Sequence, residues 1–144
     1  MICLQPVTQQ NFEELVALHV APEQQKLVAT NIRSLAQAYV QPNCYPFGIY
    51  ANDVPVGFLM YCLDAEDDEY WLCRLMVDEN HQRKGYGEEA VRLLLTTIKQ
   101  DNTRHKLYLG VDIDGSAAPA LYQKMGFRFN GRVYDGEHIM LLNY

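Results

Sequence analysis

Between Gln82 and Gly87 the chain reads Gln-Arg-Lys-Gly-Tyr-Gly. Gly85 and Gly87 leave the main chain bare, and Arg83 and Lys84 add positive charge beside them. A compact apolar run, Tyr70 to Val77, precedes this stretch. After it Ala90, Val91, Leu94, Leu95 and Ile98 recur on one helical face. The pattern predicts strand, glycine-bearing turn, helix. Such a turn offers unpaired backbone N–H groups at the positive end of a helix dipole, which suits a phosphate or pyrophosphate. Two nucleotide-binding patterns do not fit. There is no G-x-x-x-x-G-K-[ST], and Gly85-Tyr86-Gly87 is followed by Glu88-Glu89-Ala90 rather than by x-x-Gly. The remaining alternative is a tight turn with a basic flank.

A second stretch with chemistry in it runs from Asp114 to Phe127 and carries Tyr122 and Lys124. Ser116 can cap a short helix there, and Gly126 suits the residue just past its end. Cys73 and Arg74 sit in the strand before the glycine turn, and Arg74 alternates with Leu72 and Met76 on one strand face. Asp64 to Glu69 holds five carboxylates in six residues. It reads either as a solvated loop or as a docking patch for a polycation, because clustered like charge concentrates counter-ions. His19, His81, His105 and His138 are scattered, so no metal site is expected.

The elements that must position these residues follow from pattern. Ile2 to Val7 predicts a strand, and Thr8 caps a helix over Gln9 to His19 with Phe12, Leu15, Val16 and His19 inward. Pro22 starts a short helical piece through Lys26. Asn31 caps another helix, with Ile32, Leu35, Ala36 and Tyr39 on one side, which stops before Pro42. Tyr45 to Ala51 and Val54 to Leu63 form a hairpin across Asn52-Asp53. Tyr70 to Val77 and His105 to Ile113 are strands. Phe127 to Tyr134 and His138 to Leu142 close the chain as two strands joined at Asp135-Gly136.

The chain has 144 residues, the size of one domain over 1–144, and a net charge of −6. That charge argues against a nucleic-acid partner and is compatible with a cationic one. The four cysteines, Cys3, Cys44, Cys62 and Cys73, form no C-x-x-C pair, and three lie in apolar runs. Reduced, mostly buried thiols in a cytoplasmic protein are expected. Polar Gln5, Gln9 and Gln10 come too early for a signal peptide, and no apolar run is long enough to span a membrane.

The form Gln-x-x-Gly-x-Gly after a strand ending Leu75-Met76-Val77-Asp78 resembles the acyl-CoA-binding motif of the GNAT superfamily of N-acetyltransferases. The second stretch resembles that family's Asn-x-x-Ala-x-x-Leu-Tyr-x-Lys-x-Gly-Phe, with Ala118, Leu121, Tyr122, Lys124, Gly126 and Phe127 matching. The Asn position is occupied by Gly115. The family Asn commonly hydrogen-bonds the pantetheine arm, so Asp114 or Ser116 substitutes or the contact is lost. The order of elements matches the family from end to end. It implies an α/β (α+β) GNAT fold: a mixed, bent and splayed sheet of about seven strands with helices on both faces.

The resemblance implies an enzyme that uses acetyl-CoA as co-substrate and works by direct transfer. An acceptor amine attacks the thioester, and a tetrahedral intermediate collapses to expel the thiolate. Backbone amides of the loop Gln82, Arg83, Lys84, Gly85, Tyr86, Gly87 and Glu88 would hold the pyrophosphate. Leu75, Met76 and Val77 would pair with pantetheine as an added strand does. Gly115, Ala118, Tyr122 and Lys124 complete the implied cofactor site. An N–H near Met76 or Val77 would stabilise the oxyanion. Tyr122 would protonate the thiolate, a phenol of reference pKa near 10 acting on a thiol of about 8.5. The base stays open. Some relatives place a carboxylate where this chain has Cys73. A water chain ending on Glu66, Asp68 or Glu69 is the alternative, and so is Cys73 as a covalent acetyl carrier.

Three features resemble the bacterial spermine/spermidine acetyltransferases of this family. They are Val28-Ala29-x-Asn31-x-x-Ser34-Leu35-Ala36-x-Ala38-Tyr39, Tyr70-Trp71-x-x-Arg74-x-Met76-Val77, and Asp135-Gly136-Glu137. A linear polycation wants several carboxylates along a groove, so Glu23, Glu66 and Glu69 are substrate candidates, with Arg74 either orienting substrate or pairing a carboxylate. Glu14 and Tyr39 join them from the helical pair that serves the family as acceptor-side lid. Other expectations are a different amine (a protein N-terminus, an aminoglycoside, an amino acid) or a non-catalytic acyl-CoA-binding module. By analogy with the family, subunits would pair as a homodimer through the C-terminal strands.

Overall fold

A two-residue turn sets the first hairpin. Asn52 and Asp53 both take left-handed backbone angles, φ +49° and +70°. Short polar side chains tolerate that region, and the turn matches the twist of the flanking strands. The computed structural model describes residues 1–114 and 116–144. Gly115, expected at the cofactor site, lies outside the described residues.

In chain order the elements are β1 (Ile2–Pro6), α1 (Phe12–Val16), a 3-10 turn (Pro22–Gln24), α2 (Asn31–Val40), β2 (Cys44–Ala51), β3 (Val54–Leu63) and β4 (Tyr70–Val77). A second 3-10 turn (Glu79–His81), α3 (Tyr86–Ile98), β5 (Lys106–Val111), α4 (Ala118–Lys124), β6 (Arg128–Tyr134) and β7 (Glu137–Asn143) follow. The strands form one mixed sheet of seven in the order β1-β2-β3-β4-β5-β7-β6. Only the central β4–β5 pair is parallel. No helix of the described residues is long and apolar enough to cross a membrane.

The sheet is covered on both faces, and strand alternation assigns the side chains. Leu59, Leu72, Leu107 and Leu109 pack with Ala90, Val91, Leu94 and Ile98 of α3 and with Tyr122 of α4. Phe58, Met60, Cys62 and Met76 point the other way, against Leu18, Val20, Leu35 and Ala38 of the α1–α2 segment. Burying one such aliphatic side chain is worth about 1.5–3 kcal/mol, so the α3 stripe alone anchors the glycine turn that precedes it.

The first two helices depart from the expected faces. α1 begins at Phe12 rather than Gln9, because Thr8 closes a preceding turn by accepting the Gln10 N–H at 3.2 Å. Leu15 is buried, but Phe12 and His19 are exposed. In α2 the cap is Thr30, which accepts the Arg33 N–H, and not Asn31. The buried side carries Asn31 and Ser34, while Ile32 and Tyr39 are 60% and 91% exposed. Hydrogen bonding overrode hydrophobicity here. The Asn31 side chain donates to the carbonyl of Leu15 at 2.9 Å, and the Ser34 hydroxyl to that of Thr30 at 3.1 Å. Each carbonyl also accepts a backbone N–H, so what these bonds satisfy is the buried donors of Asn31 and Ser34 themselves. A buried donor without an acceptor costs more than an exposed isoleucine.

β4 contains a bulge. Met60 pairs with Arg74 and Tyr61 with Leu72, so Cys73 is the extra residue. The bulge breaks the period of two. Leu72 packs on the α3 side and Met76 on the α2 side. Arg74 therefore does not share a face with both, as simple alternation predicts.

Candidate active site

The parallel ladder between β4 and β5 lasts only three pairs and ends at Leu72 opposite Leu109. Beyond it the strands part, and a cleft of about 510 Å³ opens between them. One wall is β4 from Leu72 to Val77, the other is β5 from Leu109 with Asp112 beyond it. Gln24 to Val28 close one end, Ala118 and Tyr122 of α4 another, and Asp135 and Glu137 the third.

The ladder to β3 decides which β4 amides face the cleft. The Asp78 N–H donates to the Val56 carbonyl at 2.8 Å, and register keeps Met76 opposite Phe58 and Arg74 opposite Met60. In an antiparallel pair successive residues turn their N–H groups to opposite sides. Met76 therefore points its N–H at β3. Leu75 and Val77 point theirs toward β5, where the ladder has already ended. Of the two oxyanion donors that the sequence suggested, Val77 is the one aimed into the opening.

Gln82 acts as a clamp. Its side-chain amide donates to the Val77 carbonyl and to Oε1 of Gln24, each at 2.9 Å. It thus ties the glycine turn to the end of β4 and to the first 3-10 turn. Asp78 makes a second tie, buried and accepting the N–H groups of His19 and Asn80. Arg83 has φ +65° and Gly85 φ +81°, which turn the chain into α3. Gly85 caps that helix without a side chain, so nothing from the cap residue covers the first amides. Arg83 and Lys84 are exposed, and Tyr86 and Gly87 lie in the first turn. Glu88 pairs with Lys124 and with Arg92, each at 2.9 Å. Lys124 first, then Arg92, holds the Glu88 carboxyl below its ordinary range. Glu88 and Lys124 thereby clip α3 to α4 beside the cleft.

Tyr122 is buried, lines the cleft and meets Phe127 edge-on at 5.5 Å between centroids. Burial pushes its phenol well above the usual tyrosine range. Such a group stays protonated, as an acid must. Ser116 accepts the Ala118 N–H at 3.1 Å, one residue before the position expected of a cap, since Ala117 is the N-cap of α4.

On the α2 side the cleft carries Cys73, Arg74 and three carboxylates, Asp112, Asp135 and Glu137. The Arg74 guanidinium donates to the Cys73 carbonyl at 2.8 Å and to Oε1 of Gln37 at 2.9 Å. Burial raises the Glu137 carboxyl, Arg74 opposes that, and Asp135 and Asp112 reinforce it. The acidic residues expected from the sequence lie elsewhere. Glu66 and Glu69 sit on the β3–β4 turn, outside the cleft lining. Two of its carboxylates are engaged from outside the turn: Asp67 takes the Trp71 indole N–H at 2.9 Å, and Asp68 pairs with Arg104 at 2.7 Å. One Glu69 carboxylate oxygen is buried without a partner among the described residues. Glu23 is exposed on the 3-10 turn, where its neighbour Gln24 faces the cleft instead. Glu14 is held by the Tyr50 hydroxyl at 2.6 Å, and Tyr39 points into solvent. The cleft carboxylates were visible only as the late Asp135-Gly136-Glu137; a bare Gly110 inside a strand was the other available signal.

The chain matches the Acetyltransferase (GNAT) family over residues 8–127. It is 31% identical, over 97% of both chains, to the spermine/spermidine N(1)-acetyltransferase of Bacillus subtilis (strain 168). Its fold resembles an acetyltransferase from Thermus thermophilus, with a TM-score of 0.79 and 24% identity over 100% of this chain and 97% of that one. It also resembles the PaiA N-acetyltransferase of Thermoplasma acidophilum, solved in complex with coenzyme A, with a TM-score of 0.74 and 16% identity over 100% and 99%. Matched along most of its length, and with the splayed sheet and uncapped helix already described, the chain belongs to the GNAT family of acetyltransferases.

Proposed function

We propose that this acetyltransferase moves an acetyl group from acetyl-CoA to a primary amine of a polyamine, spermidine or spermine, by direct attack. The observation that carries the acceptor is the meeting of Asp112, Asp135 and Glu137 at one open cleft. A linear polycation needs spaced carboxylates, and its charge draws it toward a focused negative potential. The relative from Bacillus subtilis, named for spermine and spermidine, supports the same reading.

The cofactor fits the remaining geometry. Alanine at Gly87 would make only ordinary contacts, 3.8 Å to Val77 and 3.9 Å to Leu75. Glycine there is unfavourable in a helix by about 0.5–1 kcal/mol. Its presence suits a ligand that approaches the backbone, and the uncapped amides suit a pyrophosphate. The inward N–H groups of Leu75 and Val77 suit the pantetheine amides and the developing oxyanion. Tyr122 suits the thiolate as proton donor.

Free-thiol release from acetyl-CoA tests the reading, with spermidine and spermine set against lysine and an N-terminal peptide. Saturable release with the polyamines supports it. Saturable release with another amine alone moves the acceptor. Coenzyme A binding with no release from any amine leaves a binding module.

A further inference from the structure

Gly110 is the first β5 residue beyond the last pair of the ladder, and Cys73 is its counterpart on β4. They mark the point where the sheet parts. Leu109 and Val111 face α3, so Gly110 faces the α2 side of the sheet. No side chain fills that spot from β5. Glu137 fills it from β7: a Cβ on Gly110 would lie 2.9 Å from its Oε1 and 3.3 Å from its carboxyl carbon. The carboxylate therefore lies across the bare strand at the apex of the opening. It has no hydrogen bond and no ion pair among the described residues. Arg74 is near enough to favour its charge, but its terminal nitrogens donate to Cys73 and Gln37, and its buried Nε donates to nothing among the described residues. Glu137 is exposed at the mouth of the cleft, and an unpaired carboxylate that the solvent can reach is poised to take a proton and pass it on.

We propose that Glu137 is the catalytic base of this acetyltransferase, receiving the acceptor ammonium where β4 and β5 part and removing the proton that blocks attack. This rests on the acetyl-transfer reading above. An alkyl ammonium gives one proton to the carboxylate and becomes the free amine. The nitrogen lone pair then forms the C–N bond, and the carbonyl π pair moves to oxygen. On collapse the C–S bond breaks, and the thiolate takes the Tyr122 proton. The second nitrogen proton restores the phenol, and Glu137 returns its own to solvent. Ammonium and thioester thus give amide, thiol and one proton. The charged groups that face Glu137 are Arg74 of β4, Asp112 after β5 and Asp135 of its own turn, and Glu137 in turn bears on the Cys73 thiol. Burial and the two aspartates keep its affinity for a proton above that of a solvated glutamate.

The test is the pH profile of Glu137→Gln, taken with whichever amine of the panel the wild type acetylates. The expected result at pH 7 is a loss of about 100-fold in kcat/KM. Acetyl-CoA affinity by calorimetry should not change. The residual rate should climb about tenfold per pH unit as solution deprotonates the amine. Gly110→Ala keeps the carboxylate and displaces it, and an intermediate loss with the same steepened profile is expected. A Gln variant within about threefold of wild type, with a parallel profile, overturns the assignment. So does a Gly110→Ala variant with an unaltered profile. Release by the wild type with a non-polyamine alone would sink the polyamine acceptor and leave Glu137 testable on that amine; release with no amine would sink both.

Discussion

The side-chain amide of Gln82 donates to the carbonyl oxygen of Val77 over 2.9 Å, joining the first residue of the glycine turn to the last residue of β4. The two ends of the proposed cofactor site are thus fixed to each other by a side chain and not by the turn alone. Gln82→Ala removes this bond and the one to Gln24. We expect stability to fall by about 1 kcal/mol, the net worth of a typical hydrogen bond. The Kd for acetyl-CoA should rise about tenfold, since a misplaced loop forfeits part of its phosphate contacts. Calorimetry and thermal unfolding of the variant would check both.

Tyr122→Phe keeps the ring against Phe127 and removes only the hydroxyl. The expected outcome is a drop of about 100-fold in kcat with acetyl-CoA binding intact. Because burial raises the Tyr122 pKa, the wild type should lose no activity from this group up to its reference value near pH 10. An alkaline fall that disappears in the Phe variant would contradict this.

Carboxylates in the cleft should matter to the amine, and those on the β3–β4 turn should not. Asp112→Asn and Asp135→Asn are each expected to raise the KM for spermidine about fivefold at low salt, and less at high salt. Glu66→Gln should leave it unchanged. Initial rates at two ionic strengths are the measurement.

Glu137 carries a stability cost that reports on its environment. Its folded-state pKa is raised, so its favourable contribution is present below the unfolded value near pH 4 and is lost as pH rises through the folded value. At pH 7 the ionised carboxylate is a small burden on the fold, since Glu137 is exposed and solvent screens much of the effect. Glu137→Gln should therefore raise Tm at pH 7, with the gain vanishing toward pH 4. A lower Tm at pH 7 would mean that the carboxylate is structurally paired.

Two glycines should respond differently to alanine. At Gly85 a Cβ meets open space, and only the left-handed φ of +81° opposes it. That costs about 1–2 kcal/mol. At Gly57 a Cβ would run into the Met76 carbonyl oxygen and crowd the backbone of Val77. Gly57→Ala should cost about 1–3 kcal/mol and disturb the strand that bears the inward amides. Chemical denaturation separates the stability effects, and acetyl-CoA binding by the Gly57 variant reads the second.

The strands, the central helix and the glycine turn were legible in the sequence because each rests on local rules. β4 has the predicted bounds, Tyr70 to Val77, and the Asn52-Asp53 hairpin has its predicted turn. The face of α2 was not legible. Asn31 and Ser34 can be buried because their donors find the carbonyls of Leu15 and Thr30, and Leu15 is distant in sequence. The acidic run Asp64 to Glu69 drew notice by its density, yet Asp68 pairs with Arg104, far along the chain, Asp67 accepts the Trp71 indole N–H, and Glu66 and Glu69 lie outside the cleft lining.

By itself the sequence determined a glycine-bearing turn, the helix that follows it and the order of elements, because glycines and periodicity act over a few residues. The tertiary structure alone decided which amides and which carboxylates face the cleft. The bulge at Cys73 sets the phase of β4, and the ladder that stops at Leu72 and Leu109 opens the cleft. Through that opening β7 lays Glu137 over Gly110, two residues far apart in the chain that only the sheet order brings together.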